Sequence, residues 1–113
     1  MTNFKLGDVM LAEVIFADAT GSKKRPALVI SGSEFNQNRN EVIISAITSN
    51  IERNLPGDTK IRDWEEAGLL FPSVATGIIQ TVHKDLFLRK LGKLSSEDLQ
   101  KVTANLKKAL DFK

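Results

Sequence analysis

The sequence predicts a mainly β domain with helices, in which a small, strongly bent sheet or barrel is closed by one C-terminal helix. Three observations predict this class. Short runs rich in branched and aromatic residues follow one another through residues 8–94, turn-forming residues separate them, and only the segment after residue 94 shows helical spacing. Parallel βαβ units are not expected, because no helices separate the strands. The 113 residues suit a single domain with one modest core, spanning residues 1–113.

The first three strands are predicted at residues 8–16, 25–31 and 41–49. Gly7 precedes the first, DVMLAEVIF, and the second, RPALVIS, has its proline at the strand start, where a missing N–H disturbs a sheet least. The third, EVIISAITS, is apolar almost throughout, which predicts a central position. The polar stretch SEFNQNRN at 33–40 predicts a loop or one helical turn.

Two glycine-containing turns divide the middle of the chain. Residues 50–58 predict a loop that ends in the Pro56-Gly57 turn signal, and TKIR at 59–62 predicts a short edge strand. DWEEAGLL then predicts one helical turn stopped by Gly68.

In the last part of the chain, the spacing of the apolar residues changes from that of strands to that of a helix. SVATGIIQTV and DLFLRKLGKL, at 73–82 and 85–94, predict one or two further strands. Ser95 or Ser96 is suited to cap a helix, with acidic residues in its first turn. Apolar residues then recur at helical spacing: Leu99, Val102, Leu106, Ala109 and Leu110.

Composition and charge exclude several classes of protein. The chain is 42% hydrophobic and 27% charged, which is typical of a folded domain rather than a disordered one. It has no cysteine, so disulfides and thiolate metal sites are excluded. No signal peptide is recognisable, and no apolar run approaches the roughly 20 residues that span a bilayer. We therefore expect a cytoplasmic protein without membrane association. A net charge of +2 permits a nucleic-acid partner without implying one.

Arg25 and Thr48 are the residues most suggestive of a site. Arg25 opens one predicted strand after the loop GSKK, and Thr48 ends another. If the two strands are antiparallel neighbours, both side chains lie at one edge of the sheet. A guanidinium and a hydroxyl together bind phosphate well. An exposed arginine and a strand-ending threonine without function remain the alternative.

Signatures of most enzyme classes are absent from the sequence. It contains no phosphate-binding glycine loop, no nucleophile elbow and no cluster with metal-ligand spacing, and His83 is the only histidine. We therefore expect no metal and no cofactor, and either metal-free chemistry or simple binding.

Five segments, in order and over nearly the whole chain, resemble the MazF/PemK family of toxin–antitoxin ribonucleases. They are KLGDVMLAEV, GSKKRPALVIS, FNQNRNEVIISAITSN, GLLFPSVATGIIQTVHK and LGKLSSEDLQKVTANLKKAL. The resemblance implies an SH3-like small barrel of the CcdB/PemK type with a C-terminal amphipathic helix, forming a homodimer. It also implies metal-independent, sequence-specific cleavage of single-stranded RNA, leaving 2′,3′-cyclic phosphate and 5′-hydroxyl ends, and a cognate antitoxin that covers the site.

Carried over by position, the resemblance assigns Arg25 and Thr48 to the active site. The general base is open: His83 is one candidate, because histidine is the side-chain type most often used as a general base, and Asp18 and Glu13 are alternatives. Many relatives carry an acidic residue, an arginine and an aspartate where this chain has Gly77, Gln80 and His83. The predicted RNA-binding residues are Lys23, Lys24, Phe35, Arg39, Ser49, Asn50, Arg53 and Lys84.

Two other functions remain open from the sequence. The replaced charges at Gly77 and Gln80 favour a weak or inactive family member that binds an antitoxin or another protein target. An SH3-like adaptor for proline-rich peptides is disfavoured, since a chain with no tyrosine and one tryptophan supplies an aromatic groove poorly.

Overall fold

The computed structural model describes residues 3–14 and 23–113, which form six strands and two helices. The predicted segments at 15–22, including the end of the first strand, lie outside the described residues. The elements, in chain order, are β1 (Asp8–Val14), β2 (Lys23–Val29), α1 (Ser33–Asn38), β3 (Glu41–Thr48), β4 (Thr59–Ile61), β5 (Ser73–His83), β6 (Phe87–Lys93) and α2 (Ser96–Ala109), with a 3₁₀ turn at Lys84–Leu86. The predicted mainly β class with a C-terminal helix is confirmed.

The six strands form one antiparallel, curled sheet, a half-barrel in the order β4-β5-β3-β2-β1-β6. The central position predicted for β3 is confirmed, as is the edge position of β4. β3 pairs with β2 on one side and with β5 on the other, both antiparallel. The end of β3 therefore lies beside the starts of both neighbours, which determines where the site is formed.

Both faces of the curled sheet are covered by apolar side chains, because alternate residues of each strand point to opposite faces. One core cluster consists of Phe4, Met10, Ala12, Ala27, Val29, Val42, Ile44, Val82 and Phe87. The other receives α2 and consists of Val9, Leu28, Ile47, Ile61, Ala67, Leu69, Ala75, Leu94, Val102 and Leu106. Neighbouring residues of β2 such as Leu28 and Val29 belong to different clusters, so the second half of β2 is buried on both faces.

The turn after β4 packs against β6 and brings the two edges of the sheet together. Residues 62–68 form consecutive hydrogen-bonded turns rather than an assigned helix, and Gly68, with φ of +81°, ends them as predicted. A Cβ on Gly68 would lie 2.0 Å from the Leu91 carbonyl oxygen, and one on Gly92 would lie 2.5 Å from that of Ala67. Glycine at both positions therefore lets the two backbones touch.

Helix α2 begins where the sequence predicts, with Ser95 as its N-cap. The Ser95 hydroxyl accepts a hydrogen bond from the Asp98 backbone N–H (3.2 Å). The buried Asp98 carboxylate in turn accepts from the backbone N–H groups of Arg62 (3.1 Å) and Asp63 (2.8 Å), which joins α2 to the turn after β4. Neither helix of the described ranges is long and apolar enough to cross a bilayer.

Candidate functional site

Arg25 and Thr48 line the same small cavity at one edge of the sheet. β2 and β3 are antiparallel, with Ala27 opposite Ala46 and Leu28 opposite Ser45. Continuing this register by two residues places Arg25 opposite Thr48. The cavity has a volume of about 190 Å³ and is lined by Arg25, Ala46, Ile47, Thr48, Asn50, Arg53, Thr76 and Ile78. The arginine and the threonine that the sequence places at two strand ends thus line a common space.

The Thr48 hydroxyl is held by the turn that follows β3. Its oxygen accepts a hydrogen bond from the Asn50 backbone N–H (3.2 Å), which leaves the hydroxyl proton available as a donor. The Asn50 side-chain oxygen accepts a hydrogen bond from the Glu52 N–H (3.3 Å). The Asn50 backbone carbonyl accepts one from the Arg53 N–H (3.2 Å). The cavity wall formed by residues 48–53 is therefore organised by its own hydrogen bonds.

A bulge in β5 supplies the opposite wall of the cavity. Ser45 pairs with Ile79 but Ile47 pairs with Ala75, so β5 has extra residues at this point. The Thr76 hydroxyl donates to the Ala46 carbonyl (2.7 Å) and accepts from the Ile78 N–H (3.1 Å). This bulge was not predicted from the sequence. Its signal is the small polar residue Thr76, which is buried in an apolar strand and followed by glycine.

Gly77 and Gln80, where the family resemblance places charged residues, lie on β5 at and beyond the bulge. Gly77 touches the loop that precedes β4: a Cβ there would be 2.9 Å from the Pro56 carbonyl oxygen. Gln80 pairs with Ile44, nearer the middle of β3. Within residues 3–14 and 23–113, the cavity lining includes neither of them.

A second, more apolar cavity of about 460 Å³ adjoins the first and shares Arg25 and Ile47 with it. Its polar lining includes Lys24 and Ser49, two of the predicted RNA-binding residues, and also Arg89. The apolar part comes largely from the segment before β5, where Leu70 and Phe71 are 83% and 62% exposed. We call this exposed pair the Leu70–Phe71 patch.

His83 lies at the other end of the sheet from Arg25 and Thr48. It pairs with Glu41 at the start of β3, whereas Thr48 ends that strand, about 23 Å away at roughly 3.3 Å per residue. Its Nδ1 accepts a hydrogen bond from the Asp85 N–H (3.1 Å) and caps the 3₁₀ turn. The structure therefore does not bring His83 to the Arg25–Thr48 cavity within one chain, and we assign it no catalytic role.

Three predicted RNA-binding residues lie at the His83 end. Arg39 and Lys84 line an open, polar depression together with His83 and Glu41. Arg39 forms an ion pair with Glu41, and its guanidinium carbon lies 4.9 Å from the centre of the Phe35 ring. These side chains have protein partners and are separated from the Arg25–Thr48 cavity by the length of β3.

Two of the remaining predicted residues lie on β1 and β2. Lys23 starts β2 opposite Val14 and is exposed. Glu13, an alternative base, is an exposed residue of β1 opposite Lys24, and Asp18 lies outside the described residues. Of the predicted set, the structure thus groups Arg25, Thr48, Asn50 and Arg53 around one cavity and Lys24 and Ser49 around its neighbour.

Solved structures share this fold. An endoribonuclease from mycobacterial species, 21% identical, superposes with a TM-score of 0.77 over 98% of this chain and 94% of that chain. An endoribonuclease in complex with its cognate antitoxin, also from mycobacterial species, gives 0.78 at 21% identity, over 97% of both chains. A MazE–MazF crystal structure from Deinococcus radiodurans gives 0.75 at 17% identity, over 100% of this chain and 99% of that chain.

The sequence itself identifies the family. No curated protein matches the chain in sequence. Residues 5–110 match the family described as PemK-like, MazF-like toxin of type II toxin–antitoxin system. Because the match spans almost every element described above, the chain belongs to the PemK/MazF family of toxins.

Proposed function

We propose that the chain is a metal-independent endoribonuclease that cleaves single-stranded RNA at short sequence motifs in the cytoplasm. The observation that carries this proposal is the cavity shared by Arg25 and Thr48. A guanidinium and a hydroxyl donor facing one small space can bind a phosphodiester and stabilise the charge that develops on it. Membership of a toxin family supports a destructive rather than a purely structural role.

The proposed reaction is attack of the ribose 2′-oxygen on the adjacent phosphorus. The 2′-hydroxyl loses its proton to a base as the new O–P bond forms, and the bond from phosphorus to the 5′-oxygen breaks. The leaving 5′-oxygen gains a proton from an acid or from water. The products are a 2′,3′-cyclic phosphate and a 5′-hydroxyl, and neither an oxidant nor a metal ion is required to balance the step.

Arg25 is suited to stabilise the phosphorane oxygens, because its guanidinium stays charged and makes two parallel hydrogen bonds to a phosphate. Thr48 adds a third donor, since its oxygen already accepts from Asn50 and its proton remains free to donate. Arg25 is a poor base near neutral pH. For the base, Asp18, which lies outside the described residues, and Glu13 of the adjacent strand remain the sequence candidates.

The RNA backbone is proposed to run past the Arg25–Thr48 cavity towards its apolar neighbour. Lys24 and Ser49 line that second cavity, and Lys23, which precedes Lys24 in the sequence, is exposed. Cations along this route attract phosphates and make RNA affinity fall as salt is raised. Phe35, Arg39 and Lys84, at the other end of the sheet, are not part of this proposed route.

We propose a cognate antitoxin as the protein partner, and the Leu70–Phe71 patch as part of its contact surface. Two large apolar side chains exposed side by side are costly in a free monomer and typical of interaction sites. The patch lines the cavity that contains Arg25, so a segment bound there would also cover the cleavage site. A toxin with this arrangement is inhibited by occlusion.

We also propose that the chain forms a homodimer. Light scattering of the purified protein is expected to give a mass twice that of one chain, because exposed apolar residues beyond the patch, such as Ile51 and Leu55, gain from being covered. A single-chain mass that does not change with concentration would contradict this expectation.

The test of the proposed function is cleavage of a long single-stranded RNA in EDTA. Wild type is expected to make discrete cuts that leave cyclic-phosphate ends, and Arg25→Ala, purified in parallel, is expected to make almost none. Equal cutting by both proteins would point to a contaminating nuclease and overturn the proposal. If wild type leaves RNA intact but binds the antitoxin, the chain is a binding module, as its departures at Gly77 and Gln80 allow.

A further inference from the structure

We propose that Arg53 is a second phosphate-binding cation of the Arg25–Thr48 cavity, and that the buried carboxylate of Asp58 is the positioning residue that fixes it there. Both residues belong to the loop between β3 and β4. The inference rests on the proposed function, because it names further residues of that same site.

The size of the cavity suits a single phosphate group of an RNA chain. At about 190 Å³ it is smaller than the roughly 300–1,000 Å³ of sites that enclose a drug-sized ligand. Arg25 and Arg53 both line it, together with the Thr48 hydroxyl. Two cations facing a small space repel one another until an anion enters, so the space favours a phosphate over a neutral group.

Arg53 is restrained, unlike the arginines on the open surface. Its side chain is 26% exposed, against 51% for Arg39 and 60% for Arg62. Its Nε lies 3.0 Å from Oδ2 of Asp58, close enough for an ion pair, although the N–H has no well-directed acceptor in the described part of the chain. Because this contact is made through Nε, the two Nη groups keep four N–H donors for a ligand.

The Asp58 carboxylate is buried and fixed by backbone hydrogen bonds, which makes it a rigid support for Arg53. Its side chain is 2% exposed. Oδ2 accepts a hydrogen bond from the Leu55 N–H (2.9 Å) and Oδ1 accepts from the Gly77 N–H (3.1 Å), so the carboxylate joins the loop to the bulge of β5. A buried carboxylate without a cation is costly, and this cost keeps Arg53 beside it.

Helix α2 and Gly77 fix the rest of the loop. The Asn105 side chain donates hydrogen bonds to the backbone carbonyl of Asp58 (3.3 Å) and to the Thr59 hydroxyl (2.7 Å). Gly77 lets the Pro56-Gly57 turn lie on β5, since a Cβ there would meet the Pro56 carbonyl at 2.9 Å. Glycine on β5 thus allows the loop to bring Arg53 to the cavity, with Asp58 beside it.

The first test removes the Arg53 cation. Equilibrium binding of a single-stranded oligonucleotide with 2′-O-methyl riboses, which has no 2′-hydroxyl and so is not cut, is measured against salt. Arg53→Ala is expected to weaken binding and to reduce the slope of log K against log[salt] by about 0.7, the contribution of one phosphate contact in single strands. Arg62→Ala, which removes an exposed arginine paired with Glu97 and Asp63, is expected to keep the wild-type slope.

The second test separates positioning from charge. Asp58→Asn keeps an acceptor oxygen but frees Arg53, so the affinity for RNA is expected to be unchanged or tighter while kcat falls about tenfold. A purely structural defect would lower the fraction of binding-competent protein and so the apparent kcat at unchanged KM. The kcat is therefore referred to the binding-competent concentration, titrated with the 2′-O-methyl oligonucleotide, and a corrected kcat equal to that of wild type would overturn the positioning role. Arg53→Lys is expected to recover the salt slope but only part of kcat, because an ammonium lacks the planar fork.

The outcomes distinguish this inference from the proposed function. If wild type cuts RNA and Arg53→Ala matches it in rate and salt slope, the second cation is refuted and the proposed function stands. If wild type cuts no RNA but Arg53→Ala lowers the salt slope, the phosphate site stands and the nuclease proposal fails. An Asp58→Asn protein with wild-type kcat and KM would overturn the positioning role.

Discussion

Replacing Arg25 with alanine is expected to slow RNA cleavage by on the order of a hundredfold or more, because the phosphorane loses a preorganised donor and a positive charge. Arg25 is exposed at the start of β2, so the free energy of unfolding is expected to change by less than about 0.5 kcal/mol. Single-turnover cleavage in EDTA measures the rate, and urea denaturation measures the stability. A large loss of stability would mean that the effect on rate is indirect.

Two matched variants sharpen this prediction. Arg25→Lys keeps the charge but loses the bidentate geometry, so its rate is expected to lie between those of wild type and the alanine variant. His83→Ala is expected to cut at the wild-type rate, because His83 lies at the opposite end of β3 and caps a 3₁₀ turn. A large loss in His83→Ala would show that a base reaches the cavity by a route outside the single chain.

Replacing Gly68 with alanine is expected to lower the free energy of unfolding by roughly 2–4 kcal/mol. Gly68 has a φ of +81°, and a Cβ would lie 2.0 Å from the backbone oxygen of Leu91. The substitution therefore strains the turn and pushes it off β6, where the two edges of the sheet meet. Urea denaturation followed by circular dichroism provides the measurement.

Gly32→Ala is the control for that substitution. A Cβ at Gly32 meets nothing within 4 Å, and its φ of −85° is accessible to any residue. The cost is expected to stay within about 1 kcal/mol, the scale of a changed helix N-cap. Equal unfolding midpoints for the Gly68 and Gly32 variants would contradict the packing of this turn against β6.

Local signals in the sequence were sufficient for most of the elements. Helix α2 begins at Ser96 with Ser95 as its N-cap, one of the two serines expected to cap it, because a capping serine and apolar spacing act within a few residues of one another. β3 is central as expected, because a strand buried on both faces has an apolar sequence. The meeting of Arg25 and Thr48 followed from one further assumption, that their strands are antiparallel neighbours.

The remaining features depend on contacts between distant parts of the chain. The position of His83 follows only once β5 is known to pair antiparallel with β3, which carries its end to the start of β3. Asp58 follows a proline and a glycine, a sequence typical of an exposed turn. Its carboxylate is nevertheless buried, where it pairs with Arg53 and accepts a hydrogen bond from the Gly77 N–H. Sequence patterns do not show which turn residues become buried.

The closest test of the central claim is a double-mutant cycle on Arg25 and Thr48. Single-turnover rates in EDTA are measured for wild type, Arg25→Ala, Thr48→Val and the double variant, with Thr48→Ser as the control that keeps the hydroxyl. If both side chains act on one phosphate, each single variant is slow and the double variant is about as slow as the slower single one. Wild-type cutting by either single variant, or losses that multiply as they do for distant, independent sites, would contradict a shared phosphate at this edge of the sheet.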